Sequence, residues 1–410
     1  MPKIFPYKAT RPHKEKVELI VSQSYETYTK EVLDDILHDN PVSFLHILSP
    51  GYKKNTSVSG KKRYNLVKER FFEFVKAGIL CRDNTPSLYI YKIEKKHAFF
   101  CGILAATQTN DYEIGNIKKH ENTLEKREKL FKNYLKVVKF NAEPVLLTYP
   151  DSKVIKDVIA NTLDKDFEYS FLIDGAKHSL WKLSDEIIIA QIQQEFEKIN
   201  TFYIADGHHR CASSHLLSKE MKSENPDHSG TEAYNYFLSY LLPESELKIY
   251  EFNRLIKDLN GLTKNELLTA LKKQYQVMHK GKELHRVIKK HEFGMYLKGE
   301  FYMLKLKEED YKFKNALSKL DAQLLFETIL EPILNIKDLR NDKRIDYIYG
   351  KESIVKIKEL VDSGKYKLAF NLAPVTVDEI KEVANEGLQM PPKSTYIEPK
   401  LLSALTIYEI

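Results

Sequence analysis

At 410 residues, 42% of them hydrophobic, the chain exceeds what one small core accommodates and is expected to divide into two or three domains of about 150 residues. Its 64 basic residues stand against 58 acidic ones, a net charge of +6 that excludes a polybasic nucleic-acid binder. The three cysteines, Cys81, Cys101 and Cys211, lack CxxC spacing, and no signal core or run of about 18 apolar residues is present, so a cytoplasmic protein without disulfides, structural zinc or a membrane partner is expected.

The first predicted elements are a helix over 29–38 and, after the Asn40-Pro41 stop, a strand over 43–48. A Lys/Ser/Asn-rich loop over 51–62 leads to a helix over 63–77. Strands over 88–93 and 98–106 follow, the second an apolar run of the kind found in a sheet interior. The spacing then predicts a helix from 117 to about 139, with His120 and Arg127 on the same face as Leu124, Phe131, Leu135 and Val138. Polar groups on a burial face need partners, which makes His120 and Arg127 candidate ligand contacts. Glu121, at the start of that segment, is a candidate cleft carboxylate.

Residues 144–150 read as a buried strand, and 168–173 and 178–183 as a pair joined around Asp174-Gly175. His178 and the only tryptophan, Trp181, lie on the second of these and are candidate substrate contacts. Ser184 is the expected cap of a helix over 184–200. That helix delivers the chain to a short strand over 201–205, followed at once by Asp206-Gly207-His208-His209-Arg210 and a helix over 211–221.

The dense polar cluster therefore sits at a strand-to-helix turn. A helix N-terminus offers unpaired N–H groups and partial positive charge, both suited to an anion. Gly207 permits close backbone approach, His208, His209 and Arg210 add donors, and Asp206 can orient a histidine or hold a metal that accompanies a phosphate. A phosphate site is the reading these residues favour; the competing one is an exposed turn in which Asp206 caps the helix.

Beyond it, strands over 233–242 and 247–254 are expected to form a hairpin, with a composition shift near 258–263 dividing a region 1–258 from a C-terminal region 259–410. The latter is predicted to contain a helix over 264–275, a strand pair within 293–306, a long helix over 313–334, a strand near 345–349, a helix over 353–363, a strand over 366–372 and a helix opened by the capping-box spacing at Thr376. The Pro-rich segment 390–400 is expected to be irregular, with Lys393, Ser394, Thr395 and Lys400 able to converge on an anion.

Five ordered motifs carry a resemblance: Asn40-Pro41 with Ser43 to His46, Ile117-Lys118 with His120, Glu121, Thr123, Lys126 and Arg127, Asp174-Gly175 with His178 and Trp181, Ile204 to Arg210, and Met390 to Tyr396 with Pro399-Lys400. In these the chain resembles the bacterial domain-of-unknown-function family 1015, whose Asp-Gly-His-His-Arg segment is similar to the phosphate-binding turn of free serine kinases. Two positions depart from the family pattern, Cys211 after the turn and Ser24-Tyr25-Glu26 near the start.

The resemblance implies an α+β protein with a mixed-sheet ParB/sulfiredoxin-like nucleotide-binding core and an additional C-terminal α/β region. It further implies a kinase that passes a phosphoryl group from ATP, with Mg²⁺, to a free hydroxyl amino acid such as L-serine. In that reading Gly207, His208, His209 and Arg210 hold phosphates, Lys126, Arg127 and His120 balance charge, Glu121 or Asp206 orients the attacking hydroxyl, and Asp206 is the magnesium ligand. No nucleic-acid partner is expected. Two other classes remain open, a nucleotide-dependent ParB-like switch and a metal-dependent phosphohydrolase.

Overall fold

In the computed structural model, which describes residues 1–52, 59–350 and 352–410, the chain forms two units. The first comprises 1–118, 123–247 and 399–410, and the second 119–122 and 248–398.

Apolar runs of the first unit build a nine-stranded mixed sheet. Its strands are β1 (Ile4–Phe5), β2 (Leu88–Lys95), β3 (Ala98–Gln108), β4 (Ile117–Lys118), β5 (Val145–Tyr149), β6 (Tyr169–Ile173), β7 (Ala176–Leu183), β8 (Phe202–Asp206) and β9 (Tyr236–Pro243). The order is β4-β8-β5-β9-β3-β2-β7-β6, with β1 on β3. β8 runs parallel to β4, and β9 parallel to β5; the other pairs are antiparallel. β3 lies inside the sheet, as its unbroken apolar run predicts. The β6–β7 turn is made by Asp174 at φ 50° and Gly175 at φ 73°, the left-handed pair that suits a two-residue hairpin.

Helices α1 (Glu125–Val138), α2 (Glu186–Phe196) and α3 (His208–Glu224) belong to this unit. Ile189, Ile192 and Phe196 of α2 join Leu147, Ile204 and Leu241 of the sheet in one buried cluster. The cap of α2 is Asp185, which accepts from the N–H groups of Ile187 and Ile188, rather than the expected Ser184. A second cluster gathers Phe44, Ile47, Phe71, Phe74 and Phe140 with Ala404 and Ile407 of the C-terminal segment.

Several expectations are corrected in this unit. Residues 43–48 contain a helical turn, Leu45–Leu48, instead of a strand; a short apolar run buried on all sides has no period that separates the two. The helix expected from 117 starts only at Glu125, because Ile117 and Lys118 pair with Phe202 and Tyr203. Thus His120 and Glu121 lie outside it, and the shared face with Arg127 is lost. Part of the loop expected over 51–62 falls outside the described residues, and a helix, Gly60–Lys76, begins within its end.

The second unit is an antiparallel sheet of seven strands: β10 (Lys248–Ile256), β11 (Tyr275–Gly281), β12 (Glu292–Leu297), β13 (Glu300–Leu306), β14 (Ile345–Tyr349), β15 (Leu368–Asn371) and β16 (Thr395–Glu398). The order is β11-β13-β12-β15-β10-β14, with β16 on β10. β9 and β10 are therefore members of different sheets and not a hairpin; the composition shift at 258–263 falls at the turn after β10.

The expected 313–334 helix is broken into a turn at Leu317–Lys319, a helix Asp321–Leu325 and a wider π turn Phe326–Leu330. Thr376 forms the predicted capping box with Glu379. Residues 395–398 are regular after all: the flanking prolines lie just outside a four-residue segment whose N–H groups are free to pair with β10.

Candidate functional site

Strand β8 ends in a register irregularity against β5 between Ile204 and Asp206, a feature that re-aims a side chain at a strand end. Gly207 follows at φ 92° and ψ 29°, occupies the N-cap of α3 and brings no side-chain cap. Besides the left-handed backbone, a Cβ at this position would lie 3.0 Å from Arg210 Nε and 3.1 Å from its Cζ. Glycine is thus favoured by φ, and a Cβ here would press on the Arg210 guanidinium by a few tenths of an ångström. α3 is 17 residues long and directs its N-terminal N–H groups and positive dipole end at this turn.

The charges here form a chain of contacts. Arg210 Nη2 donates to Asp206 Oδ2 at 2.8 Å, and Nη1 donates to the Pro144 carbonyl at 2.6 Å and lies 3.6 Å from Glu143 Oε2. Lys400 Nζ meets the other Asp206 oxygen at 3.0 Å, while Ser403 Oγ donates to Glu143 Oε1 at 2.8 Å. Burial pushes the Asp206 carboxyl up, but Lys400 and Arg210 outweigh it and hold the group below the ordinary aspartate range. Asp206 is therefore ionised at neutral pH. His208 is buried and His209 partly so, with Ser213 Oγ donating to the His209 carbonyl at 2.6 Å.

Of the sequence candidates, Asp206, Gly207, Arg210 and Lys400 come together here. Glu143 and Ser403 were not among those candidates. An isolated Glu before Pro144 and a serine in the C-terminal segment bear no local pattern, and their partners are remote in sequence.

The remaining candidates have the following surroundings. Lys126 and Arg127 are exposed on α1, where Arg127 pairs with Glu26 and covers the ring of Phe131. His178 is buried on β7 between Tyr91 and Phe171, its Nδ1 2.6 Å from the Tyr91 hydroxyl; burial lowers its pKa to about 4. Trp181 donates its indole N–H to the Lys165 carbonyl at 2.9 Å. Strands β5, β9, β3 and β2 separate β7 from β8, roughly 24 Å at the usual strand spacing, so His178 and Trp181 are not part of the turn.

In the second unit, His120 is buried and its carbonyl accepts from Met390 N at 2.8 Å, while Glu121 is exposed. Lys393 Nζ lies 5.6 Å from the Phe252 ring centre, Ser394 Oγ donates to the Pro391 carbonyl at 2.7 Å, and Thr395 pairs with Glu251 across β10 and β16.

Among the described residues no group of three or more His, Cys, Asp or Glu side chains is arranged to hold a metal ion. Both Asp206 oxygens face cations, so the residues present do not form a magnesium site of their own. Nor is any helix among them long and apolar enough to cross a membrane.

The profile of a protein family of unknown function (DUF1015) matches residues 4–323. The chain belongs to that family. The turn, Glu143 and α3 lie within the DUF1015 match, whereas Lys400 and Ser403 lie beyond its end. No curated protein matches the sequence.

Among solved structures, the chain is similar to a free serine kinase variant in complex with AMP, at 14% identity over 74% of this chain and 92% of that one, with a TM-score of 0.37. A conserved hypothetical protein from Pyrococcus furiosus is 14% identical over 75% and 94% of the two chains, with a TM-score of 0.35. SbnI with C-terminal truncation from Staphylococcus aureus is 12% identical over 74% and 87%, with a TM-score of 0.37.

Proposed function

We propose that this member of the DUF1015 family is a nucleotide-dependent small-molecule kinase whose triphosphate sits at the turn 206–210. The observation that carries the reading is Gly207, left-handed and without a Cβ, at the N-terminus of a 17-residue helix and flanked by Asp206 and Arg210. Phosphoryl transfer needs positioned charge rather than covalent chemistry, and such a turn supplies backbone donors, a dipole and a fixed guanidinium.

The acceptor class, a free hydroxyl amino acid with L-serine foremost, follows from the similarity of Asp206 to Arg210 to the turn of free serine kinases. Within the first unit, His208 and His209 are assigned to contact phosphate and Lys126 and Arg127 to balance charge, while His120 and Glu121, which belong to the second unit, are given no role in this reading. Since the turn does not build a magnesium site, any Mg²⁺ enters as a complex with the nucleotide. His178, Trp181, Lys393, Ser394 and Thr395 have no role in this reading.

The test is incubation with ATP, Mg²⁺ and a panel of amino acids and small alcohols, measuring ADP and phosphorylated product. ADP formation dependent on serine or a related hydroxyl compound supports the kinase reading. ATP binding without ADP formation for any acceptor refutes it and favours a nucleotide-dependent switch.

A further inference from the structure

We infer that Glu143, at the entry to β5, is the catalytic carboxylate that takes the proton of the attacking hydroxyl. This inference rests on the kinase reading of the turn and assigns its acceptor side.

Two carboxylates lie against the Arg210 guanidinium, and they are not equivalent. Asp206 uses both of its oxygens, Oδ2 for Arg210 Nη2 and Oδ1 for Lys400 Nζ. A carboxylate engaged on both sides takes up a hydroxyl proton only by giving up a charge-assisted bond. Glu143 has one oxygen engaged: Oε1 accepts from Ser403 Oγ at 2.8 Å. Its Oε2 lies 3.6 Å from Arg210 Nη1, which donates to the Pro144 carbonyl at 2.6 Å instead, so Oε2 makes no hydrogen bond among the described residues. The side chain is 27% exposed, which gives a small hydroxyl compound access to it.

The scaffold fixes this carboxylate beside the turn. β8 and β5 run antiparallel with Asp206 opposite Leu146, so the residues leading into β5 lie alongside the start of the turn. Pro144, with its restricted φ, carries the chain from Glu143 into the strand. The carbonyl of Ala142, the residue before Glu143, accepts from Ala404 N at 2.8 Å. Ser403 is fully buried and donates its own N–H to the Ser22 carbonyl, also at 2.8 Å. A fixed hydroxyl therefore orients the Glu143 carboxylate, and geometry is the first requirement of a general base. Arg210 joins the two sides: its Nε and Cζ pack against Gly207 and its Nη1 faces Oε2. The turn and Oε2 are thus one guanidinium apart.

The transfer balances with these groups. The acceptor oxygen forms a bond to the terminal phosphorus of the triphosphate as its proton passes to Glu143 Oε2. The bond from that phosphorus to the bridging oxygen breaks, and the diphosphate leaves with the electron pair. The proton on Glu143 then passes to water.

The experiment measures turnover with ATP, Mg²⁺ and L-serine, or whichever hydroxyl compound of the panel supports ADP formation. ATP affinity and urea unfolding are measured alongside, in the parental chain, Glu143→Gln and Glu143→Ala. In Glu143→Gln, whose amide oxygen can still accept from Ser403, the inference predicts a kcat lower by about a hundredfold or more, ATP affinity within about twofold of the parent and an unchanged unfolding midpoint. Glu143→Ala should be as slow and should regain turnover when sodium formate is added, because a free carboxylate can occupy the vacated space; Glu143→Gln should not respond. A kcat within about twofold of the parent overturns the assignment. So does a loss of ATP affinity that matches the loss of kcat without a response to formate, which would make Glu143 a support for Arg210. If the parental chain forms no ADP with any hydroxyl compound, the kinase reading itself fails and this assignment with it, an outcome distinct from the other two.

Discussion

Arg210 in the first unit and Arg254 in the second solve the problem of a fixed positive charge differently. Arg210 keeps contact with water and spends its fork on Asp206 and the Pro144 carbonyl. Arg254, on β10, is 1% exposed; Nη1 donates to the Phe252 carbonyl of its own strand, while Nε and Nη2 have no hydrogen-bond partner among the described residues. Burial lowers its pKa to about 10, with Tyr347, whose ring centre is 5.6 Å away, and Asp321 pulling the other way. The contrast separates two uses of charge. A paired, half-exposed network can exchange partners with a ligand, whereas a desolvated charge depends on its few neighbours and acts on stability.

The largest effect should come from Asp321, which is 2% exposed and accepts from the His291 N–H at 2.8 Å. Asp321→Ala removes a carboxylate that offsets the buried charge of Arg254 through space and strands the His291 N–H, at an expected cost of about 3 kcal/mol in urea unfolding. Adding Arg254→Met should recover part of that loss. If the two changes destabilise additively, the pair is not coupled and the contrast with Arg210 fails.

Next in size is a pH effect at His178, a titratable group that is 4% exposed on β7. Its folded pKa of about 4 lies below the ordinary value near 6.5, so the unfolded chain binds the extra proton first as pH falls. Stability is full above about 6.5 and declines towards pH 4, by about 2–3 kcal/mol. His178→Phe, which keeps the stacking with Phe171, should flatten the stability curve between pH 6.5 and 4; an unchanged slope would show that His178 is not its source.

Gly207→Ala is expected to cost about 1–2 kcal/mol from the left-handed backbone alone. The contact with Arg210 should add to this and loosen the turn, so ATP affinity falls together with the unfolding midpoint. Retained affinity would detach the turn's geometry from binding.

The smallest effect belongs to Asp206. Its folded pKa is held below the unfolded one near 4, so its contribution is present above that value and disappears as pH falls through the folded pKa. Because 36% of the side chain is exposed, screening keeps the contribution below about 1 kcal/mol. Asp206→Asn should remove that small acid-side dependence and leave the neutral-pH midpoint nearly unchanged.

Local pattern explains what was legible in the sequence. The Asp174-Gly175 hairpin, the interior strand β3, the Thr376 capping box and the strand-turn-helix at Asp206 to Arg210 each depend on a few adjacent residues. The failures lie where distant pairing decides. Ile117-Lys118 is a strand because Phe202-Tyr203 lies beside it, and β9 and β10 part into separate sheets because their partners differ. At the site, the residue types of the turn were legible, and Lys400 stood out as a possible anion contact. That it meets Asp206, and that Ser403 holds Glu143, joins residues 194 and 260 positions apart.

The central claim, that the turn 206–210 holds the phosphates of a nucleotide, is tested most directly by calorimetric titration of ATP into the parental chain and into Arg210→Lys. The account predicts saturable binding by the parent and binding at least tenfold weaker once the guanidinium fork that organises the turn is lost. Absence of binding by the parent, or equal affinity in the two proteins, would contradict it.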